Sequence, residues 1–88
     1  MMIFIGDIMK VNQEVTIMKD TNAEIGMAMK KFRKQKKMSM QAVADKLGVT
    51  KTAVHYWETG KRTIYAYQLL AYCEAIGANV NDVLSEVE

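Results

Sequence analysis

The chain has 88 residues, room for one domain with a small core, and half of them are hydrophobic, which excludes disorder. It has no proline and five scattered glycines, so nothing reads as a linker, and no apolar run approaches the roughly 20 residues of a membrane span. The formal net charge of +2 hides a separation: between Lys30 and Arg62, ten Lys or Arg stand against Asp45 and Glu58, so that segment carries +8 and the remainder −6, a local field suited to a polyanion.

In chain order, residues 1–21 come first, and they differ from the rest. Ile3-Phe4-Ile5 and Val15-Thr16-Ile17-Met18 favour β structure, with Gly6-Asp7 or Asn12-Gln13 able to turn the chain. The expectation is an extended arm, a strand or a small hairpin. It lacks the basic region and cleavage site of a signal peptide. Residues 22–88 are predicted to form an all-α domain. Thr21 or Asn22 caps a first helix, ending near Lys37, whose apolar stripe is Ile25, Ala28, Met29 and Phe32. Ser39 caps a second helix, Met40 to Leu47, with Val43, Ala44 and Leu47 inward, and Gly48 stops it. Thr50 caps a third, Lys51 to Glu58, with Val54 and Trp57 buried, and Gly60 ends it. A fourth runs from about Ile64 to Ile76, with Ala66, Leu69, Leu70, Cys73 and Ile76 inward, and Gly77 closes it. Asn79 caps a short fifth with Val80, Val83, Leu84 and Val87 on its apolar side. Cys73, the only cysteine, excludes an intrachain disulfide and a thiolate zinc cluster and suits a reducing cytoplasm.

The second and third helices are joined by a very short link, Gly48-Val49-Thr50. Counting Met40 as position one, Ala44 falls at five, Gly48 at nine and Val54 at fifteen. Alanine allows close approach of the two helices, glycine makes the turn and leaves room for the next helix, and the branched residue locks the third helix on the second. An unrelated pair of helices rarely meets all these conditions together.

Ser39 to Arg62, and more loosely Asn22 to Leu84, resemble the Cro/CI-type helix-turn-helix family of lambda-repressor-like domains. The resemblance rests on Met38-Ser39, Val43-Ala44, Leu47-Gly48-Val49, Thr50 and Glu58-Thr59-Gly60-Lys61, with Gly77-Ala78-Asn79-Val80 resembling the family's closing turn. It implies a five-helix bundle whose third helix enters the major groove of double-stranded DNA. Lys51, Thr52 and Tyr56, with His55 at the margin, then read bases; Lys51 suits guanine O6 and N7, and Thr52 offers a hydroxyl or a methyl. Thr50, Lys61 and Arg62 fall where phosphates are held. The family often carries glutamine where this chain has Met40; either Gln41 takes over that phosphate contact from a shifted angle, or the contact is absent. Arg33 and Glu58 match the family's structural ion pair. A homodimer on a pseudo-palindromic site is implied, with Tyr72 and Val87 as interface candidates.

Catalysis has little to use: His55 stands alone on the third helix, and there is neither a metal-ligand spacing nor a phosphate loop, so no enzyme, metal or cofactor is expected. The reading is a cytoplasmic DNA-binding regulator, a phage-type or plasmid-type repressor. The alternative is an antitoxin that binds DNA through the same domain and a protein partner through residues 1–18.

Overall fold

The computed structural model describes residues 21–87, which hold five α-helices: α1 Thr21–Gln35, α2 Met40–Leu47, α3 Lys51–Thr59, α4 Ala66–Ile76 and α5 Val80–Leu84. The expected arm, its hairpin and its partner-binding role lie outside the described residues, except that Thr21 is already helical. Among the described residues there is no strand, and no helix is long and apolar enough to cross a membrane.

The caps are local chemistry. Ser39 Oγ accepts from Ala42 N and Thr50 Oγ1 from Ala53 N, both at 3.0 Å, filling one orphan donor at each helix start. Three helices end in one motif: Met38 N bonds Arg33 O after α1, Val49 N bonds Ala44 O after α2, and Ala78 N bonds Cys73 O after α4. Each motif needs one left-handed residue. Gly48 supplies it for α2 at φ +68°, but α1 uses Lys37 at φ +59°, a conformation that is strained for a side chain with a Cβ. Asn22, expected as a cap, lies inside α1 and instead donates to Thr63 Oγ1 at 3.0 Å.

α1 packs most extensively on α3, and α4 closes the bundle against α2 and α5. The core gathers Ala28, Met29, Val43, Ala44, Val54, Trp57, Leu69, Tyr72, Cys73, Ile76 and Val83. The expectation that Gly48 leaves room for the next helix is corrected here. A Cβ on Gly48 would meet nothing within 4 Å, so that glycine serves backbone conformation alone. The close approach is at Gly26 in α1, where an added Cβ would overlap the carbonyl oxygens of Trp57 and Glu58. A glycine isolated within a helical stretch was the available signal for it.

α4 differs most from expectation. It starts at Ala66, and its inward stripe is Leu69, Tyr72, Cys73 and Ile76; Ala66 and Leu70 face out, Leu70 at 55% exposure. Tyr72, an interface candidate by resemblance, is fully buried (0%) and cannot meet a partner. α4 is apolar on more than one side, so its sequence does not fix which side turns inward. Tertiary packing does, and it brings the Tyr72 hydroxyl to Glu58. Leu84 is also exposed, because five-residue α5 inserts only Val83 fully.

Candidate nucleic-acid interface

One face of α3 is fixed and the other is open. Ala53, Val54, Trp57 and Glu58 are buried, and Lys51, Thr52, His55 and Thr59 form the exposed stripe one turn apart, with half-buried Tyr56 at its edge. Among the described residues the side chains of Lys51 and Thr52 make no hydrogen bond or ion pair. They stand free at the helix N-terminus, where the backbone dipole adds to the attraction of an anion. The His55 ring lies 6.1 Å from the Tyr56 ring, centroid to centroid, and is tilted against it.

The buried face is held by charge as well as by packing. Arg33 Nε reaches Glu58 Oε2 at 2.7 Å and Arg33 Nη2 reaches Oε1 at 3.0 Å, a bidentate pair almost closed to solvent. Arg33 Nη1 donates to Met38 O at 2.8 Å, and the Tyr72 hydroxyl donates to Glu58 Oε2. The Arg33–Glu58 pair thus fastens the end of α3 to α1, the α1–α2 turn and α4. The hydrogen bond to Glu58 raises the Arg33 pKa further, against the opposing effect of burial. Burial chiefly, and then the bond to Glu58, pushes the Tyr72 phenol well above its ordinary range. Sequence reasoning reached Arg33 and Glu58 through the family resemblance but left Tyr72 outside the network, since nothing local marks a tyrosine as the third member.

Beyond α3, Gly60 adopts φ +78° and turns the chain back, so that Arg62 N donates to Tyr56 O at 3.2 Å. The Asn22–Thr63 bond fastens the far end of this loop to α1. Lys61 and Arg62 are exposed, with Lys61 Nζ 5.9 Å and Arg62 Cζ 5.3 Å from the centroid of the Tyr56 ring. Thr50 sits at the start of α3, with its hydroxyl oxygen used as cap. Gln41 is exposed on the first turn of α2, and its amide donates to Asp45 Oδ1 at 2.9 Å. Lys51, Thr52, His55, Tyr56, Thr50, Lys61 and Arg62 therefore all belong to α3 or its two flanking turns, and Gln41 to the neighbouring helix. Of the ten basic residues between Lys30 and Arg62, only Arg33 is buried, and its charge is cancelled by Glu58; the other nine are exposed against exposed Asp45. The whole +8 of that segment is therefore at the surface.

A family model described as helix-turn-helix matches residues 29–82. Among solved structures, the clp gene regulator ClgR from Corynebacterium glutamicum aligns with a TM-score of 0.73 at 29% identity, covering 75% of this chain and 86% of that one. A second ClgR structure aligns at 0.72 with 29% identity, covering 75% and 70%. The restriction-modification controller protein C.AhdI from Aeromonas hydrophila aligns at 0.65 over 69% of this chain and 92% of its own; at 20% identity it speaks for the fold alone. No curated protein sequence matches the chain. With a family match over most of the chain, an open α3 face and a surface rich in cations, the protein belongs to the Cro/CI-type helix-turn-helix family and is a DNA-binding transcriptional regulator.

Proposed function

We propose that the protein is a sequence-specific repressor of phage or plasmid type that binds a pseudo-palindromic duplex as a homodimer, without enzymatic activity and in the cytoplasm. The observation that carries this reading is the unpartnered Lys51–Thr52 pair on a helix whose opposite face is locked by the Arg33–Glu58 pair. A reading surface needs side chains that are free to pair with bases on a support that does not move. Lys51 donates to guanine O6 and N7, Thr52 contacts the next base, and His55 stands at the margin. Lys61, Arg62, Thr50 and Gln41 serve the phosphates, and position the domain without reading sequence.

Dimerisation follows from size. One domain covers about one half-site, and affinity and specificity both rise when two half-sites roughly 34 Å apart are read together. Leu84 and Val87, at and after α5, remain as apolar side chains with exposed surface that a partner copy can cover.

Selection of bound sequences from a random duplex pool tests the reading directly. The expected result is an inverted repeat with one helical turn between half-site centres, and two protomers per site by native mass measurement. A pool that stays random despite binding refutes sequence-specific reading, and a single non-repeating half-site bound by one protomer refutes the dimer.

A further inference from the structure

Lys61 and Arg62 lie over one aromatic ring, and among the described residues no carboxylate pairs with them. Their cationic groups stand 5.9 Å and 5.3 Å from the centroid of the Tyr56 ring, and among the described residues neither makes an ion pair. The nearest acid along the chain, Glu58, is buried and taken by Arg33 and Tyr72. Two adjacent like charges would ordinarily swing apart. What holds them is the negative face of the ring, together with the Gly60 turn and the bond from Arg62 N to Tyr56 O. The ring itself is half-buried at the end of α3, braced on one side by His55.

This arrangement changes what Tyr56 is for. A ring covered by two cations is poorly placed to lie against a base edge, while both cationic side chains remain exposed to solvent. Long basic side chains lose considerable rotamer freedom when they are fixed on a ligand, and a surface that gathers them beforehand lowers that cost. We propose that Tyr56 is a positioning residue for the phosphate-binding loop: its ring, not its hydroxyl, holds Lys61 and Arg62 ready for two phosphates and so ties the groove-reading helix to the backbone clamp. The inference rests on the DNA-binding reading above and deepens it, moving Tyr56 from base reader to organiser of phosphate contacts.

The test uses the full chain on a selected duplex and on a scrambled duplex of equal length, each titrated at several salt concentrations, with Tm measured for every variant. Tyr56→Phe keeps the ring, and should bind both duplexes as the wild type does, with an unchanged base preference. Tyr56→Leu should weaken both by the same factor, about threefold to tenfold, with the log–log salt slope nearly unchanged, because both cations still reach their phosphates. Combined with Arg62→Ala it should cost less than the sum of the two changes, because both remove one arrangement. In the free protein, ring-current shifts of the Arg62 side-chain protons should be present in wild type and Tyr56→Phe and absent in Tyr56→Leu. If Tyr56→Phe loses discrimination at one base pair while scrambled-duplex binding holds, the hydroxyl reads a base and the inference is wrong. A Tyr56→Leu variant that binds both duplexes as tightly as the wild type, or an additive double variant, overturns it equally. A wild type that binds no duplex would instead bring down the DNA-binding reading, and this inference with it.

Discussion

The Tyr72 hydroxyl on α4 donates to the Glu58 oxygen on α3 that also accepts from Arg33 Nε, so one carboxylate oxygen carries two buried donors. Both residues are almost fully buried. In such surroundings a donor to a charged acceptor contributes more than an ordinary hydrogen bond, and its loss is not repaired by water.

Tyr72→Phe should therefore lower stability by about 1.5–3 kcal/mol at neutral pH, read by urea denaturation. The pH dependence gives a sharper check. The folded phenol is held above its ordinary pKa of 10.0, whereas the unfolded one ionises there. The unfolded state then binds fewer protons above pH 10, so stability falls as pH rises. The Tyr72 contribution is fully present below pH 10, and its advantage over Phe should shrink by about 1.4 kcal/mol per pH unit above it. A stability gap between wild type and Tyr72→Phe that stays constant into strong alkali would show that the phenol is not buried in this network.

Gly26→Ala and Gly48→Ala should both destabilise, for different reasons and by different amounts. At Gly26 the new methyl overlaps two backbone carbonyls of α3, which cannot move without shifting the whole helix contact, and about 2–3 kcal/mol or more is expected. At Gly48 the space is open and only the left-handed φ of +68° resists, a cost of about 1 kcal/mol. Denaturation midpoints in that order check the assignment; the reverse order would mean that α1 and α3 are further apart than described.

Lys37→Gly should stabilise the protein. Lys37 occupies the left-handed position that ends α1, where glycine is free of the Cβ clash. Against the larger entropy that glycine has in the unfolded chain, the net gain is about 0.5–1 kcal/mol. A thermal melt shows it as a rise of a few degrees, and an unchanged or lower Tm would show that the Lys37 side chain contributes something the strain conceals.

Lys51 and Lys61 should separate by function. Lys51→Ala should lower affinity for the preferred site by about 1–3 kcal/mol while non-specific binding nearly persists, flattening discrimination at one base pair. Lys61→Ala should weaken specific and non-specific binding alike and reduce the salt slope by about one. Identical behaviour of the two variants on matched and scrambled duplexes would mean that α3 is docked differently.

Much of this fold can be read along the chain, because it depends on neighbours within one turn. Ser39 and Thr50 cap the helices that follow them, Gly48 and Gly77 take the left-handed positions, and α2 spans the expected residues. The exposed stripe on α3 follows from helical periodicity, since Val54 and Trp57 point inward and Lys51, Thr52 and His55 therefore do not. What the tertiary structure alone decided involves partners far apart in sequence. α4 is apolar enough to bury either of two adjacent sides; packing on its neighbours turned Tyr72 inward, where its hydroxyl meets Glu58 on another helix, and Leu70 outward. Gly26 is required only because the carbonyls of Trp57 and Glu58 arrive beside it. The gathering of Lys61 and Arg62 over Tyr56 is more local, resting on the Gly60 turn and the bond from Arg62 N to Tyr56 O. Local hydrogen bonding and side-chain periodicity are written in the order of residues, but a burial choice between two similar faces is settled by the distant neighbours that each face meets when the helices pack.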